Sequence, residues 1–174
     1  MPFIIHPARF EKNHDAYLRF LLQHHDKLGL PYPFGMKLSL ISSPLVFGQV
    51  LLIFDEDPYE LVGAFGIVHG TSEQEYADPQ ICQIEVCYLA ASARKTRLFS
   101  KCLSSLIDLI QSKHPDTTTL SFWISQEQYD NDRLFAKCRN WLGATERFGN
   151  GVVQIRLPFD SVSSYISSLN KRSC

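Results

Sequence analysis

Glu85 stands in the middle of an apolar run, Ile81 to Leu89, and four cations, Arg94, Lys95, Arg97 and Lys101, follow it. Burial pushes a carboxylate at such a position toward neutrality, which suits a general base. The plainer alternative is a structural partner for an arginine. Strict alternation along the run puts Ile81, Gln83, Glu85, Cys87 and Leu89 on one face, and Cys82, Ile84, Val86 and Tyr88 on the other. The cations surround the start of a predicted helix, where free amides and the positive dipole end already attract anions. Their alternative is a solvated basic helix end. Other chemistries find less support. His24 and His25 point to different faces of one helix and make no three-ligand set with Asp26, while His6, His69 and His114 are scattered, so no metal site is expected. No serine sits in a G-x-S-x-G elbow, and there is neither a P-loop nor a glycine-rich dinucleotide fingerprint.

The background is an ordinary globular chain. It has 174 residues, about one domain's worth, with 45% hydrophobic, 12% aromatic and 20% charged residues. Seventeen Lys+Arg against 18 Asp+Glu leave a formal charge of -1, so no general basic surface for duplex nucleic acid is implied. Five cysteines without a CxxC pair argue against both a disulfide scaffold and a four-thiolate zinc site. Cys87, Cys102 and Cys138 fall in apolar patterns and read as small core residues. Residues 1–10 lack the apolar run of a signal sequence, and no stretch approaches the ~20 residues of a membrane helix. The expectation is a soluble, reduced, cytosolic protein with no membrane or nucleic-acid partner.

The elements that would position Glu85 and the cations follow from periodicity. Phe3 to His6 reads as a strand, and Ala8 to Leu28 as an amphipathic helix ended by Gly29. Gly29 to Pro44, with three prolines and two glycines, reads as mostly irregular, although Met36 to Ile41 allows a short helix or strand. Val46 to Phe54 and Glu60 to Val68 form an antiparallel hairpin through Asp55-Glu56-Asp57-Pro58, and Ile81 to Leu89 is a third strand. Arg97 to Lys113 is the clearest helix, stopped at His114-Pro115. A strand from Thr117 to Ser125, a helix from Tyr129 to Leu142 capped by Gly143, and a hairpin of Ala144–Arg147 with Val152–Leu157 come next. Asp160 then caps a last helix to about Leu169. The β-α-β-α stretch implies parallel neighbours with a right-handed crossover, and the hairpins add antiparallel partners. One α/β domain with a mixed sheet covered by helices on both faces is expected over residues 1–174.

This order resembles the GNAT acyltransferase superfamily over nearly the whole chain. The sharpest local likeness is the segment from Glu85 through Arg94, Lys95, Thr96, Arg97 and Leu98 to Phe99, a strand, a short loop, an arginine and then the long helix. In that family the pattern Q/R-x-x-G-x-G/A holds the coenzyme A pyrophosphate on backbone amides at the helix start. Arg94 fills the Q/R position, but Arg97 and Phe99 stand where the two small residues belong, and Lys95 replaces a frequent extra glycine. Charge-assisted contacts from the cations could then take over from amides, and Phe99 fits the core stripe. The family's next helix often has an early Asn and a Tyr four residues before its final Gly; Asn131 is one residue out of register with the first, and Arg139 occupies the second place. The role of that Tyr, returning a proton to the leaving thiolate, then falls to Tyr129, to Cys138, to water or to nothing.

What the resemblance implies is acetyl transfer from acetyl-CoA to an amine, small-molecule or peptide, with Glu85 as base and Tyr129 as candidate acid. Pantetheine would insert between the strands Ile81–Leu89 and Thr117–Ser125 beside Cys87 and Leu89, with Arg94 to Phe99 and Asn131 toward the phosphates. The acceptor pocket would be roofed by the first helix, the Gly29–Pro44 segment with Pro31, Tyr32, Phe34 and Met36, and the last hairpin. A homodimer is compatible with this reading. The rival reading is a GNAT-like module that has lost catalysis and serves in binding or regulation.

Overall fold

The computed structural model describes residues 3–94 and 96–172, without the side chains of Thr96, Leu134 and Phe135. Seven strands form one mixed sheet: β1 (Phe3–Pro7), β2 (Gly48–Glu56), β3 (Tyr59–His69), β4 (Ile81–Leu89), β5 (Thr119–Ser125), β6 (Thr145–Gly149) and β7 (Val152–Pro158). They lie in the order β1-β2-β3-β4-β5-β7-β6, with β4 and β5 parallel and every other neighbouring pair antiparallel. Helices α1 (Glu11–Gln23) and α2 (Phe34–Phe47) cover one face, burying Tyr17, Leu21 and Ile41 with Leu52, Ala64 and Tyr88. Helices α3 (Thr96–Lys113) and α6 (Phe159–Arg172) cover the other, where Cys102, Leu106, Ile110 and Ile166 meet Ile53 and Phe65. The expected mixed sheet with helices on both faces is what forms.

Two departures from the periodicity bear on the site. The first is α2, in a segment whose prolines and glycines read as irregular. Pro44 lies in its last turn and cannot donate to the Leu40 carbonyl. The Ser43 hydroxyl donates to that carbonyl instead, at 3.4 Å, and Tyr17 Oη donates to the Ile41 carbonyl at 2.8 Å. Burial of Ile41 and Pro44 on the sheet then holds the helix. It also takes in Val46 and Phe47, so β2 starts later than the alternation suggested.

The second is a β-bulge in β4. Gly66 pairs with Val86 and the next residue, Ile67, pairs with Ile84, which leaves Glu85 as the extra residue. The bulge flips the alternation. Cys82 and Ile84 therefore share a face with Cys87 and Leu89, against α3 and α6, while Val86 and Tyr88 pack with α1 and α2. The strictly alternating faces are corrected accordingly.

Smaller differences are local. The first helix stops at Gln23, and a 3-10 turn at His25–Lys27 leads to Gly29 at φ +70°. The predicted helix from Tyr129 to Leu142 is two short ones, α4 (Gln126–Asn131) and α5 (Arg133–Cys138), because Asp132 between them is extended. Ser125 caps α4 by accepting from the Gln128 amide at 3.1 Å. Gly143 lies past α5, in the turn before β6, at φ +86°. The last helix begins at Phe159, with Asp160 in its first turn, and runs to Arg172. Among the described residues no helix is long and apolar enough to cross a membrane.

Candidate active site

The parallel strands β4 and β5 pair only from Ile81–Thr119 to Ile84–Phe122, although both continue past that point. Where pairing stops, at the bulge, they part. The gap is a cavity of about 200 Å³, mostly apolar, with Cys87, Phe99, Leu103, Trp123, Ile124 and Cys138 in its walls. A second cavity of about 540 Å³ lies under α2 and the β6–β7 hairpin, with Tyr32, Met36, Leu40, Tyr76 and Phe148 in its walls. Glu85 lines both. The bulge thus puts one carboxylate where a strand cavity and a helix-roofed cavity meet.

Glu85 is held by one side-chain donor, Gln83 Nε2, at 3.0 Å from Oε1. Burial pushes its carboxyl up to about 6, and the Gln83 hydrogen bond opposes that rise. Its charge reaches three phenols: the hydroxyls of Tyr17, Tyr32 and Tyr76 are all raised, first by burial and then by Glu85. At neutral pH the carboxylate is mostly ionised but poorly solvated, the condition of a competent base.

The loop after β4 is built by Arg94. Its Nε donates to the Leu89 carbonyl at 2.8 Å, and its guanidinium lies 5.4 Å from the centre of the Tyr88 ring. This ties the end of the strand to the approach of α3. Arg97 is exposed in the first turn of α3, Leu98 is buried, and Phe99 packs toward Phe65 while lining the strand cavity. Cys87 lines that cavity too, and Leu89 is buried beside it in the core. Lys95 lies outside the described residues, as does the Thr96 side chain.

Two expected site residues are placed elsewhere. Asn131 is exposed on α4, donating to the Glu127 carbonyl at 2.8 Å, outside the walls of both cavities. Tyr129 is buried, and its hydroxyl donates to Glu146 Oε2 at 2.6 Å. Arg139 lies over its ring at 5.4 Å, and Phe148 meets it edge-on. Tyr129→Phe should therefore cost about 1–3 kcal/mol by stranding a half-buried carboxylate, which a shifted denaturant midpoint would register. An unchanged midpoint would mean that Glu146 finds another donor.

Of the predicted roof, Tyr32 and Met36 line the second cavity, whereas Phe34 turns to the His25 ring at 5.1 Å. The last hairpin brings Phe148 to the same cavity, and Tyr76 and Trp123, which no sequence pattern marks, line cavities as well. Tyr76 sits in a polar connection with no periodicity, and Trp123 reads as one more strand residue. Among the described residues no group of three or more His, Cys, Asp or Glu is placed to hold a metal.

A parallel pair parting at a bulge, inside a seven-stranded mixed sheet with this helix order, is the GNAT acyltransferase fold. Solved structures carry the same architecture. An acetyltransferase of the GNAT family from Streptococcus pneumoniae is 14% identical at a TM-score of 0.58, covering 89% of this chain and 97% of its own. An aminoglycoside N(6')-acetyltransferase from Legionella pneumophila is 11% identical at 0.57, over 94% and 95%. A spermidine/spermine N-acetyltransferase from Vibrio cholerae is 11% identical at 0.57, over 94% and 97%. No protein-family model and no curated protein matches the sequence.

Proposed function

We propose that this chain transfers an acetyl group from acetyl-CoA to an amine. The observation that carries the reading is Glu85 at the junction of the two cavities, one fit for a pantetheine arm between parted strands and one open to an acceptor. The free edges of β4 and β5 beyond Ile84 and Phe122 would pair with the arm's amides. The acceptor nitrogen, losing its proton to Glu85 directly or through water, attacks the thioester carbonyl. The C–N bond forms, the C–S bond breaks, and the sulfur leaves as thiolate. Attack is direct, with no acyl-enzyme.

The proton returned to that thiolate is assigned to water. Tyr129 is engaged with Glu146. Cys138 lines the strand cavity, but burial pushes its thiol up to about 11, and such a thiol is a poor donor to an alkyl thiolate whose own pKa is about 8.5. Arg94 and Arg97 are proposed to meet the phosphates, with Lys95 and Lys101 adding charge, and the amides from Thr96 to Phe99 supplying the helix-start field.

Thermal melting with acetyl-CoA tests the reading. Ligand at ~100 times its dissociation constant adds ~2.7 kcal/mol, and the shift should shrink as salt rises, since exposed charges are screened over ~8 Å at physiological ionic strength. Arg94→Ala with Arg97→Ala should remove most of it. No shift at millimolar acetyl-CoA would favour the second reading, a GNAT-fold binding module. Arg97 and Phe99 in the places of two small residues are what speak for that alternative.

A further inference from the structure

We infer that the acceptor is a monoamine with an apolar, ring-sized body, an arylalkylamine in chemical class, rather than a polyamine or an aminoglycoside; this rests on the acetyl-transfer reading. Among the described residues, the carboxylates and basic groups lining the second cavity are Glu85, Glu73 and Arg147. Glu73 is spent: its two oxygens accept from the Arg147 guanidinium at 3.2 and 3.4 Å, across the rim of the cavity. That leaves one uncompensated negative charge, Glu85 at the inner end. One ammonium group can be met there and deprotonated. A second or third would meet Met36, Leu40 and Phe148 with no unpaired carboxylate beside it. Ser39, Ser43 and Asn150 in the same walls offer hydroxyls and an amide but no charge to pair with it.

The walls themselves suit a ring. Tyr76 is held at the cavity by an unusual loop: Glu75 and Tyr76 are both left-handed, at φ +51° and +61°. A bulky residue rarely adopts that conformation, and the surroundings must over-determine it. Here the Tyr76 amide donates to the Thr71 carbonyl at 2.9 Å, and its ring stacks on Phe47 with centroids 4.4 Å apart. Phe148 stands half-exposed on β6 at the same cavity, edge-on to Tyr129. Trp123, beneath the Arg147 guanidinium at 5.9 Å, forms part of the floor that both cavities share. Aromatic faces and edges around one carboxylate favour an aromatic amine entering nitrogen first.

Thiol release from acetyl-CoA by the full chain tests the class, with 2-phenylethylamine, spermidine, an aminoglycoside and an alanine-leading tripeptide compared at equal concentration. Acetyl-CoA binding is read separately by calorimetry. Phenylethylamine should give a kcat/KM at least ~10-fold above each of the others, the scale of one apolar group in a pocket. Phe148→Ala should raise its KM about 10-fold with kcat nearly unchanged, the mark of uniform binding. Met36→Glu, which adds a second carboxylate at the mouth, should improve spermidine relative to phenylethylamine. If acetyl-CoA binds and spermidine, the aminoglycoside or the tripeptide is used as well as phenylethylamine, or if none of the four is acetylated, the class is overturned while the donor site stands. If acetyl-CoA itself does not bind, the transfer reading falls and the inference with it.

Discussion

Glu85→Gln should lower the rate of acetyl transfer by ~100-fold or more while leaving acetyl-CoA binding nearly unchanged, because it removes proton acceptance and little else. The amide keeps the shape, and its oxygen can still accept from Gln83. With the wild-type carboxyl pushed up to about 6, the rate should fall below that pH as the base takes up its proton. The variant should lose that limb of the profile. Stability should move the opposite way. The native carboxyl binds its proton more tightly than an unfolded glutamate near 4.3. The fold therefore has its full stability below about pH 4 and loses about 2 kcal/mol as pH rises through about 6. Glu85→Gln escapes that loss. It should melt higher than wild type at pH 8 and match it at pH 4. An unaltered rate at every pH would remove Glu85 from the mechanism. Lower stability at pH 8 would mean that the ionised carboxylate is better solvated than its burial implies.

The residue at the centre of that test was legible because an acid inside an apolar strand is conspicuous. Its orientation was not. Period-two alternation assumes an unbroken ladder, and the bulge at Glu85 violates that assumption with no glycine or proline in β4 itself to announce it; the glycine at the shift, Gly66, lies on the partner strand. The cost is concrete: Cys82 and Ile84 change faces relative to Cys87, and the parting of β4 from β5 begins at the same residue. Helix α2 was hidden for the converse reason. Its breakers are real, but the Ser43 hydroxyl and packing on the sheet compensate for them, and both are tertiary facts. Tyr129 shows a third limit. Its partner, Glu146, lies across a chain reversal and two short helices, so composition near Tyr129 could not reveal that its hydroxyl is taken. The mixed sheet and the long α3 came through because their apolar stripes are strong and contiguous. The roof of the second cavity came through in part, with Tyr32, Met36 and the last hairpin in place, but Tyr76 reaches it from a loop position that no period marks.

Cys87→Phe should abolish the acetyl-CoA-induced rise in melting temperature without unfolding the protein. Cys87 lies one residue past the last bulge pairing and lines the cavity between the parted strands. Burial pushes its thiol well above the ordinary range, so it stays protonated and is not a nucleophile. Its place in the walls is what counts. A ring projecting from it fills apolar space that is empty in the free protein. Filling such space recovers stability at up to ~24 cal/mol per Å³ where the fit is good, and a poor fit costs ~1–3 kcal/mol. The variant should therefore melt within a few degrees of wild type. The ligand response is different in kind, because a pantetheine arm and a phenyl ring cannot occupy the same gap. The wild-type shift, ~2.7 kcal/mol at saturating ligand, corresponds to about 5–10 °C for a chain of this length. It should vanish in Cys87→Phe and persist in Cys87→Ala, which enlarges the gap. Scanning calorimetry with and without acetyl-CoA separates the cases. A Cys87→Phe protein that still gains the full shift would mean that the donor does not run between β4 and β5, and the functional assignment of that cavity would have to be abandoned.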